Sequence, residues 1–170
     1  MVAVVAILLA ILGSGSGAQA AAPQRPNVVV VMTDDQTVRQ LDHMPNVEAE
    51  LAAEGASYER FFVNHPLCCP SRATFLTGQY FHNHRVAGTY RKLHDSKTLP
   101  VWLRRAGYAT GFAGKYLNGY GGDRPRYVPP GWNEWYAAVG GSTQDVYGYR
   151  VNEIGNLVRY GGGTDASSRT

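Results

Sequence analysis

Leu67-Cys68-Cys69-Pro70-Ser71-Arg72-Ala73-Thr74-Phe75-Leu76-Thr77-Gly78 is the stretch on which the reading of this chain turns. Pro70 suits a first helical position, because its missing N–H has no partner there in any case. Ser71 to Thr77 continue as a short helix, and Gly78 supplies the stop. Cys69 precedes a proline and is pushed to extended backbone, which leaves Cys68 just outside the helix N-terminus. Free backbone N–H groups and the positive end of the helix dipole favour an anion at that place. Arg72 adds a planar cation one turn in, suited to an oxyanion or to a polar group made from Cys68.

Other uses of the cysteines fit less well. The chain has two, and they are adjacent. Neighbouring Cα atoms lie ~3.8 Å apart, whereas ordinary disulfides need ~4.4–6.8 Å. No second cysteine pair stands at zinc-ligand spacing. A thiolate phosphatase needs Arg six positions after its nucleophile, and Thr74 and Phe75 occupy those positions. A cysteine that is merely buried remains the plain alternative.

Outward from this stretch the composition is that of a globular chain. Its 170 residues are 44% hydrophobic and 17% charged, with a net charge of +3. That suffices for one modest core. The basic residues are scattered, without the dense stripe of a nucleic-acid binder. Residues 1–20 read as an export signal: Val2 to Leu12 is apolar but too short to span a bilayer, and Ala18-Gln19-Ala20 is a small-x-small cleavage site. No Lys or Arg precedes the apolar run, which departs from the usual pattern. No cysteine follows it closely, so no lipid anchor is expected.

Upstream, Val28 to Met32 reads as a central strand buried on both faces. It ends at Thr33-Asp34-Asp35-Gln36, and two adjacent carboxylates at a strand end suit a hard cation such as Ca²⁺ or Mg²⁺, or simply a turn or helix cap. Pro45 to Glu54, with Val47 and Leu51 at i, i+4, reads as an amphipathic helix, and Ala56 to Val63 as a strand. Downstream, His82-Asn83-His84 reads as solvated loop, and His65 as a histidine with one local hydrogen bond. Thr98 to Ala106 predicts a helix with Leu99, Trp102, Leu103 and Ala106 on one face. Tyr108 to Ala113 predicts a strand that ends at Gly114-Lys115-Tyr116. On composition alone Lys115 is an ordinary exposed lysine. Gly119 to Pro130 and Gly161 to Thr170 read as loop, and Tyr147–Val151 with Asn156–Tyr160 as a hairpin around residues 152–155.

Cys68-Cys69-Pro70-Ser71-Arg72 followed by Leu76-Thr77-Gly78 resembles the signature of the formylglycine-dependent sulfatases. Arg25-Pro26-Asn27, the valine run and Thr33-Asp34-Asp35 are similar to that family's first strand. Gly114-Lys115-Tyr116 is similar to its lysine segment, although Leu117 stands where many members have histidine. Lys115-Tyr116-Leu117-Asn118 and Pro129-Pro130-Gly131-Trp132 look more like the glucosamine-6-sulfatase branch. The resemblance implies an alkaline-phosphatase-like layered α/β fold, a mixed sheet flanked by helices, of which residues 21–170 are the N-terminal part. It implies hydrolysis of an aryl or carbohydrate sulfate by Cys68, Arg72 and Lys115. Cys68 would become 3-oxoalanine (formylglycine) through a formylglycine-generating enzyme. Asp34, Asp35 and the residue made from Cys68 would hold a divalent cation, Ca²⁺ ahead of Mg²⁺. The family's remaining ligands come from a later segment, so these residues alone are expected to be inactive. The implied location is secreted or periplasmic, with a sulfated small molecule or glycan as partner and neither nucleic acid nor a stable membrane anchor. Two alternatives remain: a phosphodiesterase or phosphonate hydrolase of the same superfamily, and an exported carbohydrate-binding fragment presenting Trp132 and Trp135.

Overall fold

A computed structural model describes residues 25–140, 145 and 147–161. The export-signal reading of residues 1–20 and most of the Gly161–Thr170 loop lie outside the described residues. Contacts divide the chain into two units, Met1–Thr33 and Asp34–Thr170.

In the first unit Val28 to Met32 is exposed and unpaired, not the buried strand expected from its residues. The β-branched run has strand propensity, but a strand exists only where a neighbour takes its N–H and C=O groups. No ladder among the described residues includes it.

In the second unit α1 (Pro45–Val47) runs into a wider-wound turn, Glu48–Ala52, and none of these residues is buried. The stretch expected as a strand, Ala56 to Val63, is irregular, with Tyr58, Phe61, Phe62 and Val63 exposed. Order sets in at α2 (Cys68–Thr77), which buries Cys69, Pro70, Ala73, Leu76 and Thr77. The helix begins two residues earlier than predicted, because the Ser71 N–H bonds the Leu67 carbonyl at 3.0 Å. Pro70 is thus the third helical residue, still within the turn whose N–H groups go unused. Gly78 ends the helix at φ 63, as expected of a left-handed cap.

After α3 (Phe81–His84), α4 (Leu99–Arg105) starts on Thr98 with Pro100 in its first turn. Its covered side is Pro100 with Leu99, Val101 and Leu103 half-buried. Trp102 and Ala106, assigned inward by periodicity, are exposed. The reason lies in Pro129-Pro130-Gly131: a Cβ on Gly131 would meet the Val101 nitrogen at 2.5 Å, so this loop lies directly against the first turn of α4. Gly131 also has φ 96, which strains any other residue.

The sheet runs β1 (Gly111–Gly114), β2 (Glu134–Ala138), β3 (Tyr149–Glu153) and β4 (Asn156–Tyr160), each strand beside its successor. β1 and β2 are parallel and the other pairs antiparallel, so the sheet is mixed and the class α/β. The β3–β4 hairpin turns on Ile154 and Gly155, both at positive φ, a tighter turn than the four residues expected. The reading of the sequence missed β2. Trp135, its second residue, is wholly buried, so it is no carbohydrate-contacting side chain. Phe112, Tyr116, Tyr120 and Trp132 surround it with ring centroids 4.8 to 5.6 Å away. The Trp135 Nε1–H and the Asn152 amide both donate to the Tyr120 hydroxyl, at 2.7 and 2.9 Å. The polar ends of Trp135, Asn152 and Tyr120 are thereby satisfied, whereas the Tyr116 hydroxyl and the Trp132 Nε1–H are buried without a hydrogen-bond partner among the described residues. No helix among the described residues is long and apolar enough to cross a membrane.

Candidate active site

The segment after β1 carries the most information about the site. Gly114 takes φ 108, a turn open chiefly to glycine, and the chain leaves the carboxyl end of a parallel strand there. Tyr116 and Leu117 are buried in the core. Their anchoring fixes the two flanking residues, Lys115 and Asn118. Leu117, at the position where many members of the family it resembles carry histidine, is a core residue.

Lys115 ion-pairs through Nζ with Asp34 Oδ2. Arg72, one turn into α2, donates from Nη1 to the Lys115 carbonyl at 2.6 Å and lies 3.5 Å from Asp34 Oδ1 through Nη2. Three residues separated widely in sequence therefore share one locus. Both cations are mostly covered, while the Asp34 side chain is 36% exposed. The hydrogen bond from Lys115 holds the Asp34 carboxyl below its ordinary value, against the opposing effect of burial, with the charges of Lys115 and Arg72 adding to it.

Cys68 is half-buried on the first turn of α2, and its thiol lies 3.3 Å from Asn118 Oδ1. Asn118 joins the candidate site, although the sequence reading did not single it out. Its signal was its place three residues after Lys115 and beside two core residues. The same residue reaches the second cysteine through its backbone: burial pushes the Cys69 thiol up, with the Asn118 backbone hydrogen bond working against it. Cys69 is thus an inert core thiol, and Cys68 the reachable one.

Asp35 is not brought into the cluster. It is exposed, at φ 54, and no hydrogen bond or ion pair among the described residues involves it. No group of three or more His, Cys, Asp or Glu side chains among the described residues forms a metal cage. Asp34 and Asp35 have the right donor chemistry for a hard cation, yet two carboxylates fall well short of the ~6–8 oxygens that Ca²⁺ takes.

The histidines take separate structural roles. His65 Nδ1 accepts the Leu67 N–H at 3.4 Å, the single local bond foreseen. His84 is not the solvated residue expected: its Nδ1 accepts the Val86 N–H at 3.0 Å and its Nε2 sits 3.0 Å from the Thr74 hydroxyl. An accepting Nδ1 belongs to neutral imidazole, and burial, then the nearby His65, lowers the His84 pKa in agreement.

The sulfatase family model matches residues 26–165. A Caenorhabditis elegans protein named putative extracellular sulfatase Sulf-1 homolog is 40% identical over 145 residues, which are 79% of this chain and 20% of that protein. The Homo sapiens N-acetylglucosamine-6-sulfatase is 37% identical over 174 residues, covering 92% of this chain and 31% of the relative. A solved structure of a protein in complex with its substrate D-glucosamine-2-N,6-O-disulfate matches with a TM-score of 0.68 and 30% identity, over 82% of this chain and 28% of that one. The chain thus spans less than a third of the length of these relatives.

Proposed function

The chain belongs to the sulfatase family, with the alkaline-phosphatase-like α/β fold, and from that premise we propose that the protein it forms hydrolyses the sulfate ester of a carbohydrate. The observation that carries the proposal is the meeting of Cys68, Arg72, Lys115 and Asp34 where the first turn of α2 faces the carboxyl end of β1. A sulfate ester is an anion that gains charge on its leaving oxygen as the S–O bond breaks. Preplaced cations and free helix N–H groups stabilise that charge.

In this reading Cys68 is the precursor of the nucleophile. Oxidised to formylglycine and hydrated, residue 68 supplies a pair of hydroxyls, one to take the sulfuryl group and one to release it. Asn118 Oδ1 holds the side chain of residue 68 by accepting its hydrogen bond. Arg72 is fixed by the Lys115 carbonyl, so its guanidinium orients the oxyanion without being reordered during reaction. Lys115 is the cation for the sulfate oxygens, and Asp34 holds it in place until substrate arrives. Asp34, Asp35 and the residue made from Cys68 would be ligands of a divalent cation, whose chemistry when bound is to polarise the sulfate oxygens.

The names of the relatives support the details. Extracellular sulfatases among them fit secretion behind an export signal, and the disulfated glucosamine of the solved complex fits a sulfated glycan substrate. The deciding measurement is mass spectrometry of the peptide spanning Cys68 and Cys69 after co-expression with a formylglycine-generating enzyme. The expected product is an aldehyde at Cys68 with Cys69 unchanged. Conversion at Cys69, or no conversion at all, sinks the assignment.

A further inference from the structure

At the far end of α2 from Cys68 lies a cleft of about 500 Å³ that the proposed chemistry leaves unused. Its floor is made by the buried side chains of Thr77, Val86 and Leu93. Arg85, Lys92 and Lys97 rise around it, and no carboxylate lines it. The nearest acidic residue in sequence, Asp95, has its Oδ2 engaged by the Tyr127 hydroxyl at 2.7 Å. None of the three cations takes part in a salt bridge among the described residues, in contrast to Arg72, Arg91 and Lys115. The backbone is set up to keep them there: Arg85 takes φ 55 as it ends α3, and the Lys97 N–H closes a turn on the His94 carbonyl at 2.9 Å.

Three exposed cations, none in an ion pair among the described residues, give the rim of the cleft a positive potential that favours an anion. Val86 and Leu93 give the cleft an apolar patch that a bare ion leaves unused, beside the polar Thr77, Gln79 and Asn83. A sugar ring meets both demands, with its C–H face on the floor and its sulfate or carboxylate groups on the cations. α2 sets the distance: nine residues at 1.5 Å each put the cleft about 14 Å from the reacting position along the helix axis. We propose that this cleft is a second binding site for an anionic sugar residue of an extended glycan, separate from the site that performs the reaction. The choice of glycan rests on the sulfatase reading.

The test is calorimetric titration of the chain with a sulfated glucosamine-containing tetrasaccharide, its desulfated analogue and inorganic sulfate. The sulfated tetrasaccharide is expected to bind, and the desulfated analogue and inorganic sulfate each to bind at least tenfold more weakly. Lys92→Ala/Lys97→Ala should weaken tetrasaccharide binding by about tenfold, the loss of two charge-assisted contacts. Arg104→Ala/Arg105→Ala removes the same charge from the exposed end of α4 and should change it less than about twofold. Circular dichroism of each variant confirms that the fold is kept. Equal losses in the two double variants would mean diffuse charge attraction and overturn the site. Binding of inorganic sulfate as tight as the tetrasaccharide would overturn the sugar as its ligand. The readout needs no turnover, so failure of the sulfatase reading would appear separately, as an unconverted Cys68.

Discussion

Phe62 and Trp135 belong to stretches that look alike in sequence, yet Phe62 is 85% exposed and Trp135 0%. Tyr58, Phe61, Phe62 and Val63 make an apolar run with strand propensity, as Trp135, Tyr136, Ala137 and Ala138 do. The second run pairs in parallel with Gly111–Gly114 on one side and antiparallel with Tyr149–Glu153 on the other. The first has no ladder among the described residues. Hydrophobicity therefore sets what a segment gains on burial, and the availability of a neighbour decides whether the gain is collected.

The contrast breaks first under truncation. Trp135→Ala should cost about 3–5 kcal/mol, a large part of what a domain has. Phe62→Ala should stay within about 0.5 kcal/mol, because it empties nothing. Urea unfolding of both variants provides the check. A comparable loss for Phe62 would mean that its stretch is packed in solution and that the two regions do not differ.

A narrower cut sharpens the account of the packed region. Tyr120→Phe keeps the ring but removes the oxygen that accepts from both Trp135 and Asn152. Two buried donors lose a partner, and the expected destabilisation is about 1–3 kcal/mol. Unchanged stability in the same urea assay would show that water or rearrangement replaces the hydroxyl.

The smallest effect is expected at the open edge of the packed region, where Asp34 meets Lys115 and Arg72. The folded pKa of Asp34 is depressed, so its contribution is present above the ordinary carboxylate value, near ~3.9, and is lost as pH falls through the lower folded value. Asp34→Asn should therefore be less stable than the parent at pH 7, with the gap closing in acid as the parent protonates. Thermal unfolding at a series of pH values measures it. A gap that widens in acid would contradict the pairing. Solvent screening keeps this effect well below the other two.

Much of the candidate site's local framework could be read without coordinates, since local chemistry carries it. Cys68, Arg72 and Gly78 act through one helix, and the rules for helix ends are rules about near neighbours. Lys115 was legible only through resemblance, because its partners lie 81 and 43 residues away. Asn118 was not legible at all: an asparagine in a loop looks like any other until the thiol of Cys68 is beside it. Among the strands, the hairpin was found because its turn marks both arms, whereas β2 was missed because Pro129, Pro130 and Gly131 before it read as one continuous loop.

The sequence by itself determined the helical run from Pro70 to Thr77, the glycine that ends it, the hairpin and the acidic pair at Asp34 and Asp35. Each follows from backbone sterics and hydrogen bonding over a few residues. Only the tertiary structure decided which apolar runs became sheet, that Trp135 is core rather than surface, and that Asp34 answers to Lys115 and Arg72 while Asp35 stays outside. Those outcomes depend on which distant groups arrive at contact distance, and packing energy exists only between groups that have met.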